Sequence, residues 1–233
     1  LSQAFEGAII ESYNWDFAGY GASTDQNPEY AFPDTGVVEV TLFIETDEGC
    51  DNDTSIVLDI HELPQADFST LQACENATVQ LNNASTSVDG NIVSSQWLVD
   101  GSSYDVSDPQ HTFNSIGEVD ARLIVVTEYD CPDTVYHQIT VKPAPVANFT
   151  NDVGCIGEAV YFSNLSSTNL NQQFTSQWQF GDLGESTVQN PFFVFNSIED
   201  QNVQLVVRQL ADGCTDTLSQ IIQIHNLPEA AVP

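Results

Sequence analysis

Val38, Val40, Leu42 and Ile44 alternate with Glu39, Thr41, Phe43 and Glu45. Apolar and polar positions with a period of two mark a strand with one face on a core and the other in water. The pattern returns at Val203, Leu205 and Val207. At residues 122–127 it carries Leu123 and Val125 on one face and Ile124 and Val126 on the other, which predicts a strand buried on both sides or nearly so. Each run meets a polar turn (residues 47–52, 129–133 and around Gly213) and then a second extended run ending near His61, Val141 and Ile224. Shorter strands are predicted at residues 78–81 and 159–163, opened by Ala66-Asp67-Phe68 and Ala147-Asn148-Phe149. Turns rich in Gly, Asn, Asp and Pro separate them, and nothing reads as a helix.

The strands belong to a repeat. Trp15, Trp97 and Trp178, the chain's three tryptophans, stand 82 and 81 residues apart, and lead to Pro28 and Phe32, Pro109 and Phe113, and Pro191 and Phe195. The expected domains are residues 1–63, an N-terminally truncated copy, then 64–144 and 145–233. Aligned on tryptophan, Leu1 falls opposite Asn164, so the first copy is expected to lack its opening strands, and the absence of a leader carries no weight. The connectors Leu63-Pro64, Pro143-Ala144-Pro145 and Leu227-Pro228 are short, extended and semi-rigid. The expected fold is all-β, with tandem Ig-like sandwiches in an elongated array. Trp15, Trp97, Trp178, Phe32, Phe113 and Phe195 are expected in the cores, since an indole fills the space between two sheets while its N–H reaches a backbone acceptor. The competing reading of the tryptophans is a carbohydrate-stacking platform.

Charge narrows the partners. There are 34 Asp and Glu against 3 Lys and Arg, a formal net charge of −31. Nucleic acid and anionic bilayers would be repelled. With 41% apolar residues the chain has enough to fold, so the acidity does not signal disorder. Two readings of the acids stay open: a solvated surface suited to salty water, and collection of divalent cations. No stretch has the roughly 18 to 20 consecutive apolar residues of a membrane-spanning helix, so no membrane insertion is expected in this segment.

Trp178-Gln179-Phe180-Gly181-Asp182 resembles the W-x-F-G-D-G signature of polycystic-kidney-disease (PKD) Ig-like repeats, and the proline, Phe195 and the Val/Leu alternation follow in the order of that family. The likeness covers nearly the whole chain and is strongest in the third copy, where Gly184 displaces the second glycine by one residue. The first copy has Ala18-Gly19, and the second decays to Trp97-Leu98-Val99-Asp100-Gly101. Together with Gly213-Cys214-Thr215-Asp216-Thr217, the sequence is similar to PKD arrays of large secreted surface proteins of marine, Bacteroidota-type bacteria. That resemblance implies export, often by the type IX route, and a stalk or adhesin role in gliding, attachment or prey capture.

The five cysteines fall into register. Cys74 and Cys155 are equivalent, as are Cys50, Cys131 and Cys214, and the partner class of Cys50 would precede Leu1. An extracellular disulfide framework of Cys74, Cys131, Cys155 and Cys214 is expected. Two connectivities are open: the simpler one, Cys74–Cys131 with Cys155–Cys214 inside the repeats, and as its alternative Cys74–Cys214 across a joint, because the two ends of an Ig-type sandwich lie roughly 20 Å apart while a disulfide needs Cα atoms within about 7 Å. Acids recur at the last hairpins, where Asp47, Asp51, Asp130, Asp133, Asp212 and Asp216 are candidate Ca²⁺ ligands or plain turn residues. Asp133-Thr134-Val135 and Asp216-Thr217-Leu218 resemble the Bacteroidota O-glycosylation motif, against turn capping for Thr134 and Thr217. His61 and His225 are expected as exposed strand-end residues, and no serine or cysteine partners His111 or His137 at a catalytic spacing. No catalytic residue and no cofactor beyond calcium is expected. The expected function is a non-catalytic stalk that spaces or bundles an adhesive element. Its partners would be further repeats of the same chain, copies of itself in a bundle or fibre, and surface glycans or proteins of other cells. The alternative is an accessory carbohydrate- or protein-binding module of a secreted hydrolase.

Overall fold

The computed structural model describes residues 9–69 and 72–228; Leu1, with its alignment opposite Asn164, lies outside them. The chain is all-β and built of Ig-like sandwiches. The one short helical turn among the described residues is a 3-10 turn at Asn169–Asn171. Two compact units form, one from Leu1–Asp67, Ala84–Gln96 and Leu123–Val135, the other from Phe68–Asn83, Trp97–Arg122 and Tyr136–Pro233.

In the first unit the strands Ala22–Ser23, Ile10–Phe17, Gly36–Thr46 and Asp51–Ile60 form an antiparallel sheet in that order. The alternation read from the sequence sets its faces: Val38, Val40 and Leu42 are buried, while Glu39 and Phe43 face water. Trp15 lies opposite Leu42 on one side and Ser23 on the other.

The second unit repeats that sheet in strand order and in the register of its tryptophan. Glu185–Ser186, Phe174–Phe180, Gln201–Gln209 and Thr215–Ile222 pair in the same order, and Trp178 lies opposite Leu205 and Ser186. A second sheet of Phe149–Asn151, Ala159–Asn164 and Phe192–Val194 closes over it. The core between them holds Phe149, Val160, Phe162, Trp178, Phe180, Phe195, Val203, Leu205 and Val207. Residues 64–144 supply a five-stranded sheet in the order Ala73–Cys74, Pro132–Lys142, Gly117–Thr127, Ile92–Val99, Ser102–Tyr104. Residues 121–127 alternate between buried and half-buried, so the second face of that strand is partly covered. Ala73–Cys74 runs parallel to Val141–Lys142, as Gly154–Cys155 does to Ile224–His225.

Each indole N–H reaches a backbone carbonyl ten residues on: Trp15 to Asp25, Trp97 to Ser107 and Trp178 to Val188, all at 3.0 Å. Trp97 and Trp178 are buried, at 2% and 0% exposure, as are Phe113 and Phe195. The assignment of Trp15 and Phe32 to a core is corrected, because both are only half-buried. Trp97 packs edge-on against Phe68 and Trp178 against Phe149, and the described residues of the first copy offer Trp15 no such opening-strand aromatic.

The glycine after W-x-F has a backbone reason. Gly181, Asp100 and Ala18 occupy the same turn with φ of 55°, 48° and 53°, a left-handed conformation that costs residues with a Cβ roughly 1 kcal/mol. Ala18→Gly is therefore expected to stabilise the first sheet by about 0.5–1 kcal/mol in urea unfolding. A destabilised variant would show that the turn is held otherwise. The displaced second glycine has a packing reason, since a Cβ at Gly184 would lie 2.9 Å from Phe193, and one at Gly21 2.9 Å from Tyr30.

Candidate functional site

Six of the residues singled out in the sequence, His61, Cys74, Asp133, Asp212, Cys214 and Asp216, lie around the connectors Leu63-Pro64 and Pro143-Ala144-Pro145. In the first unit, around Leu63-Pro64, the Ala66 N–H donates to Asp133 Oδ2 at 2.7 Å, so the last hairpin of the second copy holds its opening segment. His61 lies beside it, its Nδ1 2.9 Å from Asp89 Oδ2, which also accepts the Glu62 N–H at 3.2 Å. The Tyr129 ring stacks on the imidazole, with centroids 3.6 Å apart and planes at 3°. Gly90 lies under that tyrosine: a Cβ there would come within 2.6 Å of the ring. The Asn91 N–H and side-chain amide both donate to Glu128 Oε1, at 2.8 and 2.9 Å, tying the same two loops.

The reading of His61 as an exposed strand end is corrected: its side chain is 21% exposed and locked by a carboxylate and an aromatic face. Nothing in the sequence flagged this. Asp89 and Tyr129 lie in loops whose residues do not recur between copies. His225 is exposed. His111 is buried, with Nδ1 2.7 Å from the Tyr104 hydroxyl, and takes the place of Phe193 and Tyr30 in the other copies. His137 packs edge-on against Phe68.

The hydrogen bond from the His61 ring, then that from the Glu62 N–H, holds the Asp89 carboxyl below the usual carboxylate range. With Asp89 ionised, the proton of His61 sits on Nδ1. A carboxyl depressed in the folded state stabilises it above its unfolded pKa, near 3.9, and that contribution is lost as pH falls through the lower folded value. Carboxyl NMR titration of His61→Ala is expected to show Asp89 titrating at higher pH than in the parent protein. An unmoved titration would refute the pairing in solution.

In the second unit, around Pro143-Ala144-Pro145, the tie is covalent. Cys74 and Cys214 are disulfide-bonded across 140 residues, with Cα atoms 5.6 Å apart. Around the bond the Gln72 amide donates to the Asp212 carbonyl at 3.1 Å, and the Cys214 N–H to Asp212 Oδ1 at 3.1 Å. Buried Gln209, with its amide nitrogen turned inward, donates to the Pro143 carbonyl at 3.2 Å and to Asp212 Oδ1 at 2.8 Å. The Ala147 N–H donates to Asp216 Oδ2 at 2.8 Å, matching Ala66 and Asp133.

The within-repeat pairing is corrected accordingly: Cys131 and Cys155 are free thiols, as is Cys50. Cys155 pairs its backbone with His225 after the closing strand, while Cys214 precedes that strand. The ~10 residues between Cys214 and His225 span roughly 33 Å in extended form, far beyond disulfide reach. The Cys74 sulfur, taken by Cys214, is not open to Cys131.

The hairpin acids do not converge on an ion: among the described residues no three of His, Cys, Asp or Glu come together in a metal-holding group. Oxygens of Asp133, Asp212 and Asp216 accept backbone N–H groups, as does Asp47 from Ile9 at 3.0 Å. Asp51 is exposed at the start of its strand, and Asp130 occupies a left-handed turn position at φ 59°. Thr134 and Thr217 are exposed just after the capping aspartates.

No family model matches the sequence. Among solved structures the chain is similar to the PKD1 domain of Vibrio anguillarum Epp, with 21% identity and a TM-score of 0.33 over 36% of this chain and 98% of that one. It is similar to the PKD1 domain of the Vibrio cholerae metalloprotease PrtV, with 30% identity and a TM-score of 0.32 over 35% of this chain and 96% of that one. It is also similar to three N-terminal domains of the bacteriophage RB49 Highly Immunogenic Outer Capsid protein (Hoc), with 10% identity and a TM-score of 0.37 over 93% of this chain and 88% of that one.

Proposed function

We propose that residues 1–63, 64–144 and 145–233 are successive PKD-like modules of a large exported surface protein, and that the segment is a non-catalytic spacer for an adhesive element. The observation that carries this reading is the Cys74–Cys214 bond, which ties the first turn of one module to the last hairpin of the next. A covalent lock at a joint adds nothing to catalysis within a module, but it keeps neighbours in register when the chain is pulled. The bond also fits an oxidising, extracellular setting. The histidines support the same reading, since His61, His111 and His137 serve packing and joint contacts. Lateral association into a fibre belongs to the proposal, with counterions needed to offset a formal −31 per segment.

Stretching single molecules from their ends, with and without reductant, tests it. The oxidised chain is expected to fall short of the reduced one by roughly 500 Å of contour, because ~139 residues between the cysteines are shielded from force. Modules that yield before any resolvable force peak would sink the spacer reading.

A further inference from the structure

The outer face of the sheet in the second copy carries a feature that neither core nor joint explains. The Gln138 amide donates to Asp120 Oδ1 at 3.1 Å, and the Thr140 hydroxyl to Glu118 Oε1 at 2.8 Å. These cross-strand contacts fix a register in which the next outward pair is Arg122 opposite Tyr136. Between them and Leu98 lies an open concavity of about 730 Å³. The Tyr136 side is 70% exposed. Arg122 is half-buried, and its Nε is out of solvent with no hydrogen-bond partner. Among the described residues the Arg122 side chain makes no hydrogen bond or ion pair, in a chain where 34 acids surround 3 cations.

The fold does not demand this pair. Arg122 stands one residue before buried Leu123, as Thr41 does before Leu42 and Gln204 before Leu205, and the corresponding cross-strand pairs are Thr41 with Ser55 and Gln204 with Ser219, the latter closed by a 3.2 Å hydrogen bond. A desolvated donor without an acceptor is costly unless a ligand supplies one. The concavity offers an aromatic face and an apolar wall in Leu98, guanidinium donors, and carboxylate acceptors in Glu118 and Asp120, which keep lone pairs free beside their bonds to Thr140 and Gln138. That set complements a pyranose, which has an apolar C–H face and a rim of hydroxyls that both donate and accept. The carboxylates, Asp100 included, outnumber the one cation and disfavour an anionic sugar.

We propose that the outer sheet face of the second copy binds a neutral hexopyranose unit of a polysaccharide, with Tyr136 as stacking platform and Arg122 as hydrogen-bond donor. The inference goes beyond the spacer reading and stands apart from it: a spacer can dock on glycans along its length, and force measurements do not report on this face.

The test is affinity electrophoresis and calorimetric titration of the full chain against soluble glucan, mannan and galactan, with alginate as the anionic counterpart. At least one neutral polymer is expected to bind. Tyr136→Ala and Arg122→Ala are expected to weaken it by roughly tenfold or more, equivalent to losing one such contact, whereas Tyr136→Phe keeps the ring and most of the affinity. Ser219→Ala, at the matching place in the third copy, is expected to have no effect. Near-UV circular dichroism of the tryptophans checks that the variants fold. Failure of all three neutral polymers to bind, preference for alginate, or binding that survives both alanine variants overturns the proposal.

Discussion

Trp178→Ala is expected to cost the third sandwich about 3–5 kcal/mol, the range for removing a large buried aromatic, and so a large share of the ~5–15 kcal/mol that holds an ordinary domain together. Trp178 is fully buried. Its ring packs against Phe149 at 5.1 Å, Phe162 at 5.6 Å and Phe180 at 6.4 Å, so truncation leaves a void that close-packed β-sheets cannot collapse to fill. The Val188 carbonyl also loses the indole N–H. Trp178→Phe is expected to cost less, since the ring volume largely stays and Val188 is exposed enough for water to replace the lost donor. Trp15→Ala supplies the internal control: half-buried and, among the described residues, without an opening-strand aromatic against it, it should cost clearly less than Trp178→Ala in urea unfolding. Equal costs at the two sites would contradict the difference in burial.

Breaking the Cys74–Cys214 bond is the second large effect. The bond closes a loop of 140 residues, for which the chain-entropy model gives roughly 4–5 kcal/mol, acting through the unfolded state. Calorimetry of the Cys74→Ser, Cys214→Ser double variant is expected to show a lower melting temperature and separated transitions for the sandwiches that the bond joins. Superimposable melts would mean the bond does not couple them. Mass spectrometry after alkylation of the denatured, unreduced chain supplies the companion check: three labelled cysteines, Cys50, Cys131 and Cys155, and a crosslinked peptide containing Cys74 and Cys214.

Much of the architecture was legible in the chain. The period-two runs around Leu42, Leu123 and Leu205 named their strands, because burial on one face of a pleated strand imposes its own spacing on the sequence. The tryptophan spacing named the repeat, and the structure places Trp15 opposite Leu42 and Trp178 opposite Leu205 in the same register. The glycine of W-x-F-G marked a turn, and Gly181 has the positive φ that only glycine adopts freely.

What recurs every 81 or 82 residues is what packing within one copy requires, and that much the sequence determined by itself: strands, turns, repeat length and the alternation of faces. The tertiary structure alone decided the rest. Which cysteines bond depended on which ends of neighbouring copies approach, a contact across 140 residues that no local pattern encodes. His61 found Asp89 and Tyr129 through loops whose residues do not recur between copies. The hairpin acids turned out to hold backbone N–H groups, because an unpaired N–H near a buried strand end needs an acceptor wherever the chain turns. Arg122 and Tyr136 stand apart from both cases, since nothing in packing or in the joints calls for them, and their meaning rests on what binds above them.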